Sequence, residues 1–570
     1  MRAHQRSGLD TAAGPARLTR SARPNMIESN MKTIFVALAL SLGILPAARA
    51  GIDGQWVADM PTGPSGPVLE LKSDGDRLTG WLSEPDKKLQ IDKGVIHGNT
   101  LSFEMAMDVK GQSLTLLYTG ELSGDELHLT LSVRGMPGEE RITMRRVDPK
   151  GSLLAMYAEN PAPEEVTAWL KANAIRLASV QAADDFADMA PLKARLQDAL
   201  IVGMGEATHG TREFQQFKFR MFRFLVEQLG FTVFGIESNW PESLEVNRYI
   251  LGADVDPLPG LGFEWWQTED MMVMLQWMRQ YNQNPFHAHK LKFFGFDMQT
   301  PGVAESNVLD YLGRVDPGAR VDAARVFTLL GKRGENKEYE AASAELKRRT
   351  AEGLGAVLRR FDERKLDYMA HSSQEDWTMA RQNAVIVKQA EVKLADQGER
   401  GKAARDRSMG DNVKWILDHE PPGTKIMLWA HNAHVATAAP QDSPEHLPMG
   451  GRLRELYGDR YVSCGFVFQQ GGFRAVDMAG NGIRSFTVGP PPGGSIDATF
   501  AALGLPLFAI DLRHLPAGKA ADWFAGPHVS RQIGGGYSES TPGVWLLRMR
   551  AAQAYDLLIF VDKTTPSKPF

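Results

Sequence analysis

Ile201-Val202-Gly203-Met204-Gly205-Glu206-Ala207-Thr208-His209-Gly210 carries an apolar, strand-like run straight into a loop of acid and imidazole side chains. Three later stretches repeat the design. Thr232-Val233-Phe234-Gly235-Ile236 ends on Glu237, and Lys292-Phe293-Phe294-Gly295-Phe296 ends on Asp297. Lys425-Ile426-Met427-Leu428-Trp429 leads into Ala430-His431-Asn432-Ala433-His434. Runs this apolar are what strands buried on both faces look like, and helical stretches alternate with them. The pattern predicts an α/β fold with a mainly parallel sheet flanked by helices. In such a sheet ligands bind outside the carboxyl ends of the strands. Four such ends bring two glutamates, an aspartate and up to three imidazoles into one crevice, which points to an enzyme, and to hydrolysis before redox chemistry.

The loop Glu206–Gly210 precedes a helix whose buried stripe is Phe214, Phe217, Met221, Leu225 and Leu229, with Gly230 as its stop. Amides at the start of a helix can orient a carboxylate or hold an oxyanion. Glu237 follows an almost wholly apolar run, so its carboxylate must be hydrogen-bonded or shifted in pKa. It is either a structural ion-pair partner or the acid that orients His209. Asp297 either joins the same site or caps the helix starting near Gly302. His431 and His434, three apart, admit two readings. Glu206, His209, Glu237 and His431 would make a zinc set, or the histidines serve as base, oxyanion donor and proton donor with no metal. No H-E-x-x-H, G-x-S-x-G, Walker A or strand-linked G-x-G-x-x-G pattern occurs. A pocket that binds without reacting is a third reading, though it has no need of so many proton-transfer groups.

Around this core the chain of 570 residues has room for two or three domains. A net charge of -5 gives no bias towards nucleic acid or an anionic membrane. Met31-Lys32-Thr33, the apolar run Ile34 to Leu45 and Pro46-Ala47-Ala48-Arg49-Ala50 match a secretory signal cleaved after Ala50, behind an N-terminal extension. This predicts a periplasmic or secreted protein with no membrane span in the mature chain. The lone Cys464 excludes an internal disulfide and reads as a buried thiol.

Residues 51–148 alternate with period two and are punctuated by glycine turns. Leu101, Phe103, Met105 and Met107 form one such series, and Leu127, Leu129, Leu131 and Val133 another. They predict a small antiparallel barrel or sandwich, an accessory domain binding an envelope component. Its His97 and His128 are isolated. Residues 149–165 form a linker, and the α/β domain fills 166–570. Residues 316–408 read as a helical insertion, either a cap or a layer on the sheet. The Trp/Met-rich stretch Phe263–Trp277 reads as core or as the wall of a wide apolar cleft suited to a bulky ester.

The motifs G-E-A-T-H-G, G-I-E at Gly235–Glu237, G-F-D-M-Q at Gly295–Gln299 and W-A-H-N-A-H at Trp429–His434, in this order, resemble the erythromycin esterase family. The resemblance runs from about Trp169 to the end of the chain. It implies an α/β hydrolase of ester or lactone bonds, including macrolides, working without a metal or other cofactor on a small-molecule substrate. It implies His209 as the base that activates water, Glu206 and Glu237 as site acids, and His431 and His434 as the carboxy-terminal pair. Lys218 stands where the family has an arginine, so bidentate donation is lost while charge is kept. That departure and the extra β-domain put macrolide specificity in doubt.

Overall fold

The computed structural model describes residues 51–570, apart from 61–62, 85–86, 110–111, 149–152, 183–184, 331–338, 397 and 440–445. The signal-like segment lies outside the described residues. The amino-terminal unit is an antiparallel barrel. Its strand Gly63–Asp74 pairs with both Gly54–Met60 and Arg77–Ser83, which closes the ring, while Lys88–Gln90 adds a short outer strand. Leu101, Phe103 and Met105 point inward and are buried, and Ser102 between them is exposed. Phe103 stacks on Tyr118 of the next strand at 4.7 Å. Such cross-strand pairs, with a filled interior, hold a small barrel together. His97 and His128 sit on its surface beside Asp76 and Glu126.

The second unit is built on strands β1 (Ile201–Met204), β2 (Val233–Asn239), β3 (Lys292–Asp297), β4 (Ile426–Trp429), β5 (Tyr461–Asp477), β6 (Leu507–Asp511) and β7 (Leu557–Thr564). Their order is β6-β7-β5-β1-β4-β2-β3. From β7 to β3 every pairing is parallel. β6 runs antiparallel to β7, and Ile175–Arg176 antiparallel to β6. The sheet is therefore mixed, and the expected parallel arrangement holds for its middle and fails at one edge. Apolar runs buried on both faces do not encode strand direction, which is why the sequence pattern missed this. The central position of β1, flanked by β4 and β5, puts the Glu206 loop in the middle of the sheet's carboxyl edge.

Helix α1 (Arg212–Leu229) follows that loop and buries Phe214, Phe217, Met221, Phe222 and Leu225 against one face of the sheet. Each such side chain is worth about 1.5–3 kcal/mol when fully buried. Gly230 ends the helix at φ 72°, its N–H reaching the carbonyls of Leu225 and Val226. Helix α2 (Glu269–Gln283) turns Met271, Met272, Met274 and Met278 into the same core. These methionines do not line a cleft. Between β3 and β4 the helices run from Gly302 to Asp418, wider than the expected 316–408, and end with α3 (Glu399–Asp418). Tyr311, Phe361, Val387, Met409 and Val413 share a core with Ile426 and Leu428, so this block is a layer on the opposite face of the sheet. Cys464 is buried on β5, and burial raises its pKa. No helix among the described residues is long and apolar enough to cross a membrane.

Candidate active site

The end of β1 is pinned before its acid begins. A Cβ at Gly205 would lie 2.2 Å from Asn432 Oδ1, so only glycine fits. Asn432 is itself fixed to β5, accepting from the Phe466 N–H at 2.9 Å and donating to the Phe466 carbonyl at 2.7 Å. This clamp ties the first motif to the last.

Glu206 is fully buried and spends both oxygens. His209 Nδ1 lies 2.6 Å from Oε1, while Lys218 Nζ and Trp429 Nε1 donate to Oε2 at 2.8 and 2.9 Å. A carboxylate can only accept, so His209 carries its proton on Nδ1 and leaves Nε2 free as an acceptor. Lys218 comes from α1, wholly buried, with Nζ 4.5 Å from the centre of the Trp429 ring. Burial lowers its pKa to about 8, with Glu206 opposing the shift. It therefore holds Glu206 and does not face the space where a substrate oxygen would sit.

The second acid cluster needs a residue the motifs do not contain. Arg405 reaches in from α3. Its Nη2 donates to Glu237 Oε1 at 2.7 Å and to Asp297 Oδ2 at 2.6 Å, and its Nε bonds Asp297 as well. Asp297 thus joins this cluster. The helix Gly302–Val315 has Pro301 at its start and no side-chain cap. Glu237 Oε2 accepts the backbone N–H of His431 at 2.8 Å. Burial opposes its charge, but His434 and Arg405 hold its pKa well below the usual range.

The two carboxy-terminal histidines are pushed in opposite directions. His434 places Nδ1 2.7 Å from Asp406 Oδ1, and its Nε2 lies 3.3 Å from Glu237 Oε1 and 3.0 Å from Arg405 Nη1, which opposes a proton there. Burial lowers its pKa, but Asp406 and Glu237 prevail over that and over Arg405, raising it to about 10. Asp406, also held by His446 Nε2 at 2.5 Å, is brought down to about 2 against its burial. His431 has no carboxylate on its ring. Burial, then the proximity of His209 and His434, lowers it to about 3. Its Nδ1 accepts the Ala433 N–H at 3.2 Å, so the neutral ring carries its proton on Nε2. That Nε2 is buried and makes no hydrogen bond of ordinary geometry, although the Ala207 backbone lies near enough to oppose the shift.

His209 and His431 lie edge to face, with ring centres 5.6 Å apart. Trp265 stacks on His209 at 5.4 Å and Phe263 on Trp265. The loop at Gly534–Gly535 closes the remaining side. The Gly534 carbonyl accepts the His209 N–H at 3.2 Å, and a Cβ at Gly535 would come within 3.0 Å of His209 Cδ2. As a ligand set for a divalent ion, Glu206, His209, Glu237 and His431 fit poorly, because all four carboxylate oxygens already accept from protein donors. Among the described residues no group of three or more His, Cys, Asp or Glu is placed to hold one.

Sequence reasoning missed Arg405, Asp406, His446 and the glycine loop. The first two could have been found. Met409, Val413 and Ile416 mark the buried stripe of α3, and stepping back by three and four places Asp406 and Arg405 on it. A charged pair on an apolar stripe is a signal.

The family model described as erythromycin esterase matches residues 226–564, more than half of the chain. An erythromycin esterase type II of Escherichia coli is 26% identical over 382 residues, covering 61% of this chain and 89% of that protein. A Bacillus cereus protein of known crystal structure is 27% identical, with a TM-score of 0.63 over 71% of this chain and 98% of its own. An erythromycin esterase mutant, EreC, solved in its open conformation, shares the fold at 16% identity, with a TM-score of 0.56 over 68% and 97%. The two structures are matched almost whole while about three-tenths of this chain is left over, a share close to that of residues 1–165.

Proposed function

The chain belongs to the erythromycin esterase family, and from that premise we propose that it hydrolyses an ester or lactone bond with water activated by His209. The observation that carries this reading is the split between the two neighbouring imidazoles. One has a free Nε2 acceptor backed by a buried carboxylate, and the other an Nε2–H that makes no hydrogen bond of ordinary geometry. A substrate carbonyl between them meets a base on one side and an oxyanion donor on the other.

Water gives its proton to His209 Nε2 as its oxygen bonds to the carbonyl carbon. The C=O electron pair moves onto oxygen, where His431 Nε2–H receives it by hydrogen bond. Glu206 stabilises the imidazolium formed on His209. The tetrahedral species collapses by breaking the C–O bond to the leaving group, and the imidazolium protonates the departing alkoxide. The products are an alcohol and a carboxylic acid, which releases its proton to solvent as the carboxylate, and no cofactor is required. A donor pre-aimed at a developing oxyanion in a dry site is worth about 2.7–4 kcal/mol. His431 suits the task because its depressed pKa keeps it neutral. Lys218, Asp297, Arg405 and His434 act through other residues, the first on Glu206 and the rest on Glu237.

The substrate in this reading is a bulky ester, with macrolides included because the Escherichia coli relative is named for one. Incubation with erythromycin and a panel of aryl esters, followed by mass spectrometry, tests it. A product heavier by one water is expected for at least one of them. Intact substrates throughout, with folded protein, would remove the esterase reading. The same reading includes export. The stretch Met31–Ala50 supports a periplasmic or secreted enzyme whose mature amino terminus is Gly51, with the barrel holding it to an envelope component. Amino-terminal sequencing of the processed protein checks the first part.

A further inference from the structure

On the helical layer, a cavity of about 440 Å³ opens between the helix Gln374–Ala395 and α3. Three exposed cations line it: Lys388, Arg400 and Arg407. Among the described residues none of them forms an ion pair. Their neighbours behave differently, since Lys402 pairs with Glu399 at 2.8 Å, Lys414 with Asp418 at 2.5 Å and Arg452 with Asp411 at 3.2 Å. The chain as a whole carries more acids than bases, with a net charge of -5, yet no acid lines this cavity. Three cations around one concavity, with the buried Glu391 near Lys388 but off the lining, raise the local concentration of anions, an effect that salt screens.

Between the cations the surface is apolar. Val385, Val392 and Ala403 lie there, and Val392 is 45% exposed. An inorganic anion would leave this surface wet. A ligand with an anionic head and an apolar body covers it, and the volume falls within the range of small-molecule sites, about 300–1,000 Å³. We propose that this cavity is a second ligand site, for an amphipathic organic anion such as a carboxylate or sulfate on a short apolar body.

Its position ties it to the catalytic centre. Gln389, which lines the cavity, donates from Nε2 to Asn412 Oδ1 at 3.0 Å, and Asn412 Nδ2 donates to the Phe296 carbonyl at 3.0 Å. The next residue, Asp297, holds Arg405, and Ala404 of the cavity wall precedes Arg405 in the chain. The Oε1 of Gln389 is buried and accepts from nothing.

Titration of the full chain with 1-anilinonaphthalene-8-sulfonate, followed by fluorescence, tests the site without reference to hydrolysis. A chain that hydrolyses nothing would still bind the probe here. One saturable site is expected, weakened by salt and emptied by decanoate but not by the same concentration of inorganic sulfate. Replacing all three cations (Lys388→Gln, Arg400→Gln, Arg407→Gln) should weaken binding by about tenfold, the sum of a few exposed charge contacts. Arg400→Lys with Arg407→Lys should retain it. Circular dichroism checks that each variant is folded. Equal affinity in the folded triple variant, or probe that decanoate does not displace, would overturn the proposal.

Discussion

The two acid clusters of the site are built in different ways. Around Glu206 the first motif supplies the acid and His209, the helix it opens supplies Lys218, and the adjacent strand end supplies Trp429. Around Glu237 the cluster is assembled from three separate parts of the chain: Asp297, Arg405 with Asp406, and His434. The first cluster holds the proposed base, and Trp429 is its one side-chain partner from distant chain. The second makes no base. It fixes the backbone of His431 and ties the helical layer to the sheet. In the proposed mechanism local assembly protects the base, and long-range assembly makes the oxyanion donor depend on the packing of a whole layer.

That contrast is open to breaking. Arg405→Ala leaves Glu237 and Asp297 buried without their cation, and a loss of about 3–5 kcal/mol in denaturant unfolding is expected. Arg405→Lys should recover part of it. His431→Phe keeps the ring's bulk and removes the Nε2–H, so kcat should fall by about 10²–10³ with stability nearly kept. Lys218→Met removes one of three donors to Glu206. It should cost less than the Arg405 change, about 1–3 kcal/mol, because His209 and Trp429 still satisfy that carboxylate. If the Lys218 change proved the costlier, the distinction between a local and an assembled cluster would fail.

The second cluster also sets a pH window. His434, raised to about 10 from 6.5, contributes stability that is complete below pH 6.5 and is lost as pH rises through 10. Asp406, lowered to about 2 from 3.8, contributes above pH 3.8 and loses it as pH falls through 2. Stability of the α/β unit measured against pH should fall at both ends, and Asp406→Asn should move the alkaline limb down. The smallest effect lies in the barrel. Burial raises Glu140 to about 7 from 4.5, and its Oε2 has no partner. Its cost appears as pH rises above 4.5 and is complete beyond 7, so Glu140→Gln should stabilise the protein at pH 8 and leave it unchanged at pH 4.

The local cluster was legible in the sequence and the assembled one only in half. Buried parallel strands read as apolar runs, so the acids and imidazoles ending β1, β2, β3 and β4 stood out. Arg405 and Asp406 sit in Glu399-Arg400-Gly401-Lys402-Ala403-Ala404-Arg405-Asp406-Arg407, where charge density mimics a solvated helix face. Only their alignment with Met409 and Val413 separates them from it. The antiparallel edge at β6 was illegible because direction leaves no trace in an apolar run such as Leu507–Ile510. Closure of the barrel was illegible because alternation fixes which side chains point inward, and not which two edges meet.

Hydrolysis in ¹⁸O-labelled water, comparing the wild type with His209→Ala on whichever ester the substrate panel identifies, tests the central claim most directly. The account predicts one ¹⁸O in the carboxylate product from the first turnover, and a rate about 10²–10⁴ lower in the folded variant. Near-normal turnover without the His209 imidazole, or a first turnover whose carboxylate lacks the label, would contradict it.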